Sequence, residues 1–163
     1  MKETLIALMQ DKPGVFDRVA SLFRRRNFNI DSITVGHSET PGISRMTLVV
    51  NCDNEVQREQ VVKQFHKLIE VTKVIDEVTP ERAVYRELAL IKVAATVDSR
   101  SGIIQLVDIF GAEVVDVSLT TMTIELTGTE DRIESFVNLL RPFGIKELAR
   151  TGQVAMLRGS NGK

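Results

Sequence analysis

Asp11-Lys12-Pro13-Gly14-Val15-Phe16, then a helical run to Arg26, then Asn27-Phe28-Asn29-Ile30-Asp31-Ser32-Ile33-Thr34-Val35 is the stretch that decides the fold. An apolar strand, Thr4 to Met9, precedes it. The order is therefore strand, tight polar turn, helix, short break, strand. Proline suits a first helical turn because its missing N–H would have no partner there. Gly14 leaves no side chain over the helix N-terminus, where unpaired N–H groups collect. Such an end accepts a carboxylate. The Asp11 carboxylate beside it suits an ammonium. The two together describe a site for a zwitterion, that is, a free amino acid. Turn chemistry alone also explains Asp, Pro and Gly at these positions.

Working outward, the helix is expected over Pro13 to Arg25, with Val15, Phe16, Val19, Ala20, Leu22 and Phe23 on its apolar face. Arg24-Arg25-Arg26 closes it where cations favour the dipole, and Asn27 fits a left-handed cap. Strands follow at Phe28–Gly36 and Ile43–Asn51, then a helix over Asn54–Leu68 and a strand over Val71–Val78. Thr79-Pro80-Glu81-Arg82 reads as a linker. The pattern then repeats: strand 86–96, helix 99–110 stopped by Gly111, strands 113–118 and 122–127, a helix with Thr129 as N-cap, and a last strand region 145–157 bent near Gly152. Residues 158–163 read as a polar tail. The fold class is α+β: two ferredoxin-like βαββαβ domains, expected at 1–78 and 86–163 with a linker at 79–85. Each sheet carries two helices on one face. Leu5, Ala7, Met9 and Ile33 suggest an apolar second face needing cover from an oligomer or a partner, although alternation alone does not say which face is which.

Composition narrows the function. The 163 residues carry 21 basic and 22 acidic side chains, evenly shared between the halves. Nothing there favours nucleic acid or an anionic membrane. The single cysteine, Cys52, excludes an internal disulfide and fits a reducing cytoplasm. The apolar N-terminal run is too short for a signal peptide, and no run approaches a membrane span. His37 and His66 have no metal-ligand spacing with another His or Cys, and Cys52 reads as a small buried hydrophobe. Asp108 and Glu113 flank a helix end without forming an acid/base pair. Arg24-Arg25-Arg26 reads as a solvated helix end. No phosphate loop, dinucleotide fingerprint or nucleophile elbow is present. What remains is the Asp11–Gly14 turn and the polar start of the next strand, Asn29 and Asp31. The topology is expected to put loop and strand start at neighbouring edges, and two copies set edge to edge to join them across an interface. An Asn amide both donates and accepts, which suits both ends of a zwitterion.

The stretch from Asp11 to Ile30 resembles the ACT domain, a regulatory module that mostly binds amino acids. The whole chain is similar to the small regulatory subunits of acetolactate synthase, through Gly42-Ile43-Ser44-Arg45-Met46-Thr47, Lys63 to Val71, Arg86 to Val93 and Glu147-Leu148-Ala149-Arg150-Thr151-Gly152. The resemblance implies a non-catalytic homodimer that activates a catalytic large subunit and confers feedback inhibition by valine, or a related branched-chain amino acid, in branched-chain amino acid biosynthesis. It implies no cofactor in this chain, with thiamine diphosphate, Mg²⁺ and FAD in the partner. It maps valine binding onto Asp11, Gly14 and Asn29, helped by backbone groups of Val15 and Ile30. The family often has Asn where this chain has Asp11. The second domain lacks the Pro-Gly turn and a facing Asn; its Asp98-Ser99-Arg100-Ser101-Gly102 is read as packing and partner contact. The alternative is a stand-alone ACT-type sensor acting on another enzyme or on a transcription factor, although no helix-turn-helix is present.

Overall fold

The computed structural model describes residues 1–159. Its elements are β1 (Lys2–Gln10), α1 (Val15–Arg26), β2 (Asn29–His37), β3 (Ile43–Asn51), α2 (Glu55–His66), β4 (Val71–Val78), β5 (Ala83–Ala94), α3 (Arg100–Phe110), β6 (Glu113–Val117), β7 (Thr121–Gly128), α4 (Glu130–Leu140), β8 (Ile145–Arg150) and β9 (Val154–Leu157), with a 3-10 turn at Arg141–Phe143. Two compact units result: residues 1–85 with 152–159, and residues 86–151. The tail expected at 158–163 lies, from residue 160, outside the described residues.

In the first unit β1, β2, β3 and β4 form an antiparallel sheet in the order β2-β3-β1-β4. This is the expected α+β ferredoxin-like arrangement. Helix α1 starts two residues later than expected. Gly14, not Pro13, stands at its N-cap, with φ +87°, a left-handed conformation that favours glycine. The far end matches expectation: Asn27 caps it at φ 55°, after Arg24, Arg25 and Arg26 in the last turn. Asn54 caps α2 by accepting the Gln57 N–H at 2.9 Å.

Register assigns the faces. Leu5 pairs with Leu48 and Ala7 with Met46, while Ile33 pairs with Leu48. Side chains of directly paired residues share a face. Leu5, Ala7, Met9, Met46, Leu48 and Val50 form one buried core with Val19, Phe23 and Phe65, and Ile33 packs against it. This settles which face Leu5, Ala7, Met9 and Ile33 occupy, which alternation left open: they belong to the helix-packed core, not to a second face. Phe23 anchors that core, its ring 5.7 Å from Phe28 and 5.5 Å from Phe65. Burying Phe65 completely is worth about 1.5–3 kcal/mol.

The second face gets its cover from this chain. Ile6 and Val78 are buried with Ala83 and Ala155, and Ile75, Tyr85 and Leu157 pack against them. The Tyr85 hydroxyl donates to the Val78 carbonyl at 2.7 Å. Two expectations change as a result. The stretch 79–85 is not all linker, because β5 already begins at Ala83. The strand region 145–157 is two strands broken at 151–153; the second, β9, pairs with β5 and packs Ala155 into the first unit's second face. A local sequence pattern cannot show which sheet a terminal strand joins.

The second unit repeats the topology as β6-β7-β5-β8, antiparallel throughout. Its core gathers Ile91, Ile103, Ile124, Ile133, Phe136 and Leu140. Thr129 occupies the N-cap of α4 as expected, but its side chain caps nothing; Glu130 and Asp131 follow in the first turn. Glu87 is buried and receives the Arg150 guanidinium, which also donates to Glu134 at 2.7 Å.

Candidate functional site: the turn after the first strand

The turn between β1 and α1 is built from backbone bonds. Asp11 N–H donates to the Gly42 carbonyl at 2.9 Å, tying the turn to the β2–β3 connection. Lys12 N–H donates to Gln10, and Val15 N–H to the Lys12 carbonyl at 3.3 Å. Val15 is buried, so its side chain anchors the helix start in the core. The Val15 N–H is thus engaged within the turn. No side chain caps α1 at Gly14. The first turn therefore keeps open donors and the positive end of its dipole.

Around this end stand charged groups. The Asp11 carboxylate is half exposed and lies 3.5 Å from His37 Nδ1. Arg18, one turn into the helix, pairs with Glu70, and its guanidinium lies 3.8 Å from where a Cβ on Gly14 would be. His37 is a group the sequence reading passed over. Only the pairing of β2 with β3, which returns its last residue to the level of Asp11, brings it here. Periodicity holds no signal for that.

Asn29 and Ile30 are elsewhere in the same chain. Asn29 pairs with Asn51, which pairs in turn with Lys2. Asp31 confirms the location through its ion pair with Lys2 at 3.1 Å. Asp11 instead follows Gln10, at the opposite end of the sheet. Nine residues of strand span roughly 27 Å. The two halves of the expected site are therefore not at neighbouring edges within one chain. Both are exposed, however, and β2 is an edge strand, with an unpaired row of backbone groups along one side.

The equivalent turn in the second unit, between β5 and α3, is closed on itself. Thr96 N–H donates to Ser99 Oγ at 2.8 Å, and Ser99 N–H to Thr96 Oγ1 at 3.2 Å. Arg100 reaches across to the Ser118 and Leu119 carbonyls at 2.7 and 3.0 Å. No group of three or more His, Cys, Asp or Glu among the described residues is placed to hold a metal ion. No described helix is long and apolar enough to cross a membrane.

Residues 5–73 match the family model described as an AHAS small subunit-like ACT domain, and residues 86–159 match the small subunit of acetolactate synthase. The chain belongs to the acetolactate synthase small-subunit family. Within that family, the Archaeoglobus fulgidus protein named "Probable acetolactate synthase small subunit" is 54% identical over 160 residues, covering 98% of this chain and 99% of that one. The Bacillus subtilis acetolactate synthase small subunit is 45% identical, covering 100% and 94%. The crystal structure of the Thermotoga maritima small subunit superposes with a TM-score of 0.91 at 47% identity, over 98% of both chains. These matches span both units, the β9 segment included.

Proposed function

We propose that this chain binds and activates the catalytic subunit of acetolactate synthase in the cytoplasm and makes it subject to inhibition by valine. In this reading the condensation of 2-oxo acids belongs to the partner, with its thiamine diphosphate, Mg²⁺ and FAD. Valine sits between two copies of the first unit, its ammonium at Asp11 of one copy and its carboxylate at the open helix end by Gly14, with Asn29 and the Ile30 backbone of the other copy closing the site.

The observation that carries this reading is the edge position of β2. Strands β1 and β2 both pair antiparallel with β3, so they run in the same direction. Asn29 begins β2 and His37, beside Asp11, ends it. A two-fold axis through the middle of β2 pairs it antiparallel with its copy and sets Asn29 of one chain level with His37 of the other. Closed two-fold contacts of this kind are the commonest in soluble oligomers. One such contact makes two equivalent sites and ties their occupancy to the dimer geometry.

Reconstitution tests the proposal. Acetolactate formation by the catalytic subunit of the same organism is followed with thiamine diphosphate, Mg²⁺, FAD and pyruvate, with and without this chain and valine. The expected result is a higher rate with the chain, and inhibition by valine only when it is present. Asn29→His should weaken the valine response while activation survives. A rate indifferent to the chain would point instead to a sensor acting on another enzyme.

A further inference from the structure

Most arginines of this chain already have a partner. Arg18, Arg58, Arg82 and Arg150 pair with carboxylates, and Arg45, Arg100 and Arg132 donate to backbone carbonyls. The run Arg24-Arg25-Arg26 at the end of α1 is different. Its side chains are exposed and make no hydrogen bond or ion pair among the described residues. A cavity of about 330 Å³ opens beside them, lined by Leu22, Arg25, Arg26 and Gln64.

Helical spacing explains that lining. Arg25 and Arg26 lie three and four residues beyond Leu22, so the three share one face of α1. Leu22 belongs to the buried core and closes the cavity on that side. Gln64 comes from α2, so the cavity lies in the groove between two helices of one unit. Ser21, Gln60 and Lys67, each one turn from a lining residue, bring no carboxylate to it. Arg24 is not part of the lining.

A helix C-terminus ordinarily disfavours an anion. Here the chain's own backbone caps that end: Asn27 N–H donates to the Arg24 carbonyl at 3.4 Å, and Phe28 N–H to the Phe23 carbonyl at 3.3 Å. Two guanidinium charges then outweigh the roughly half charge of opposite sign left by the dipole. The dipole accounts for cations at this end. It does not account for two of them sharing a cavity with an amide from another helix.

The lining selects a ligand class. Guanidinium forks match the oxygens of a phosphoryl group, each offering two parallel donors. The Gln64 amide can donate to a further oxygen or accept from a hydroxyl. The volume is several times a water's share of the liquid, roughly 30 Å³. A bare tetrahedral ion therefore fills only part of it, leaving room for the carbon portion of an ester over Leu22. We propose that the groove between α1 and α2 is a binding site for a small soluble phosphate monoester, its phosphoryl group held by Arg25 and Arg26 and its carbon portion beside Leu22 and Gln64. The site is at the opposite end of α1 from Gly14 and stands whether or not that turn takes an amino acid.

The test titrates the isotope-labelled full chain at constant ionic strength with phenyl phosphate and, separately, with inorganic phosphate, following backbone amide shifts. Phenyl phosphate should saturate, move the amides of residues 22–27 and 60–67, and bind at least fivefold more tightly than inorganic phosphate. Arg25→Gln combined with Arg26→Gln should weaken its binding at least tenfold, and Gln64→Ala about threefold. Arg24→Gln removes the same kind of charge outside the cavity and should change affinity less than twofold. A loss in Arg24→Gln as large as in either lining arginine changed alone would overturn the site, by reducing it to general attraction to a basic helix end. Unchanged affinity in the double variant would overturn it as well. Equal affinity for inorganic phosphate would overturn the ester and leave a free ion. Sedimentation of the chain with phosphatidic acid vesicles, without any response to phenyl phosphate, would overturn the soluble ligand.

Discussion

The turn after β1 and the turn after β5 occupy the same place in the same topology, and their chemistry is opposite. The first ends in a left-handed glycine with no side-chain cap, flanked by Asp11, His37 and Arg18. The second spends its hydroxyls on itself through Thr96 and Ser99, and its one cation, Arg100, on the carbonyls of Ser118 and Leu119. Neither helix has a side-chain cap; what differs is that the first end is flanked by the Asp11 carboxylate and His37, while the second turn ties its own hydroxyls together and engages Arg100 with the β6–β7 connection. A duplicated fold thus carries a candidate ligand site at one of these two turns, because four or five residues in it differ. The first unit's second face is partly covered by β9.

The largest effect expected comes from closing the first turn. Gly14→Asp puts a carboxylate over the helix end and a Cβ into a left-handed conformation, a strain of about 1–2 kcal/mol. The valine concentration for half inhibition should rise at least tenfold, equivalent to about 1.4 kcal/mol of lost binding, with activation maintained. An unchanged valine response in the reconstituted assay would move the site away from this turn.

Opening the second turn should cost stability and nothing else. Arg100→Ala removes both hydrogen bonds to the β6–β7 connection, and bonds at so exposed a turn are worth about 1–2 kcal/mol together. Urea unfolding should shift by that amount while the valine response stays at the parental level. A changed valine response would show that the second turn takes part in sensing after all.

A smaller contrast is expected from pH. In the first unit, burial pushes the Tyr85 phenol and the Cys52 thiol above their ordinary values. A group raised in the folded state stabilises below its unfolded value and loses that contribution as pH rises. The loss begins above roughly pH 10 for Tyr85 and above roughly pH 8.5 for Cys52. In the second unit, the hydrogen bond from Arg150 holds the Glu134 carboxyl below the ordinary range. A lowered acid stabilises above its unfolded value, roughly pH 4.3, and loses the contribution as pH falls. Amide exchange at the two extremes should therefore show the first unit opening earlier in alkali and the second earlier in acid. Glu134 is surface-exposed, so the acid limb should be the shallower. The reverse order would break the assignment.

Much of this was legible in the chain itself. Apolar residues at helical and strand spacing located the first three helices to within two residues at either end, and the start of the fourth, because a one-sided core imposes those periods. Asn27 and Gly111 marked two helix ends, since few residues accept the left-handed turn found there. The same logic failed at Pro13, where the chain needed the left-handed glycine before the helix could start. It failed again at Thr129, where position did not bring a hydrogen bond.

The amino-acid sequence by itself determined the duplicated βαββαβ order, the turn at Asp11–Val15 and the family to which the chain belongs, because each is written in local spacing and residue type. Only the tertiary structure decided which face of the first sheet holds Leu5 and Ile33, that Asn29 and Asp11 stand at opposite ends of one sheet, that His37 joins Asp11, and that β9 packs Ala155 into the first unit's second face. Those facts follow from strand register and from contacts between residues more than a hundred positions apart, such as Arg45 and Ala155. A strand's period of two does not say which neighbour it will pair with, so no local pattern contains them.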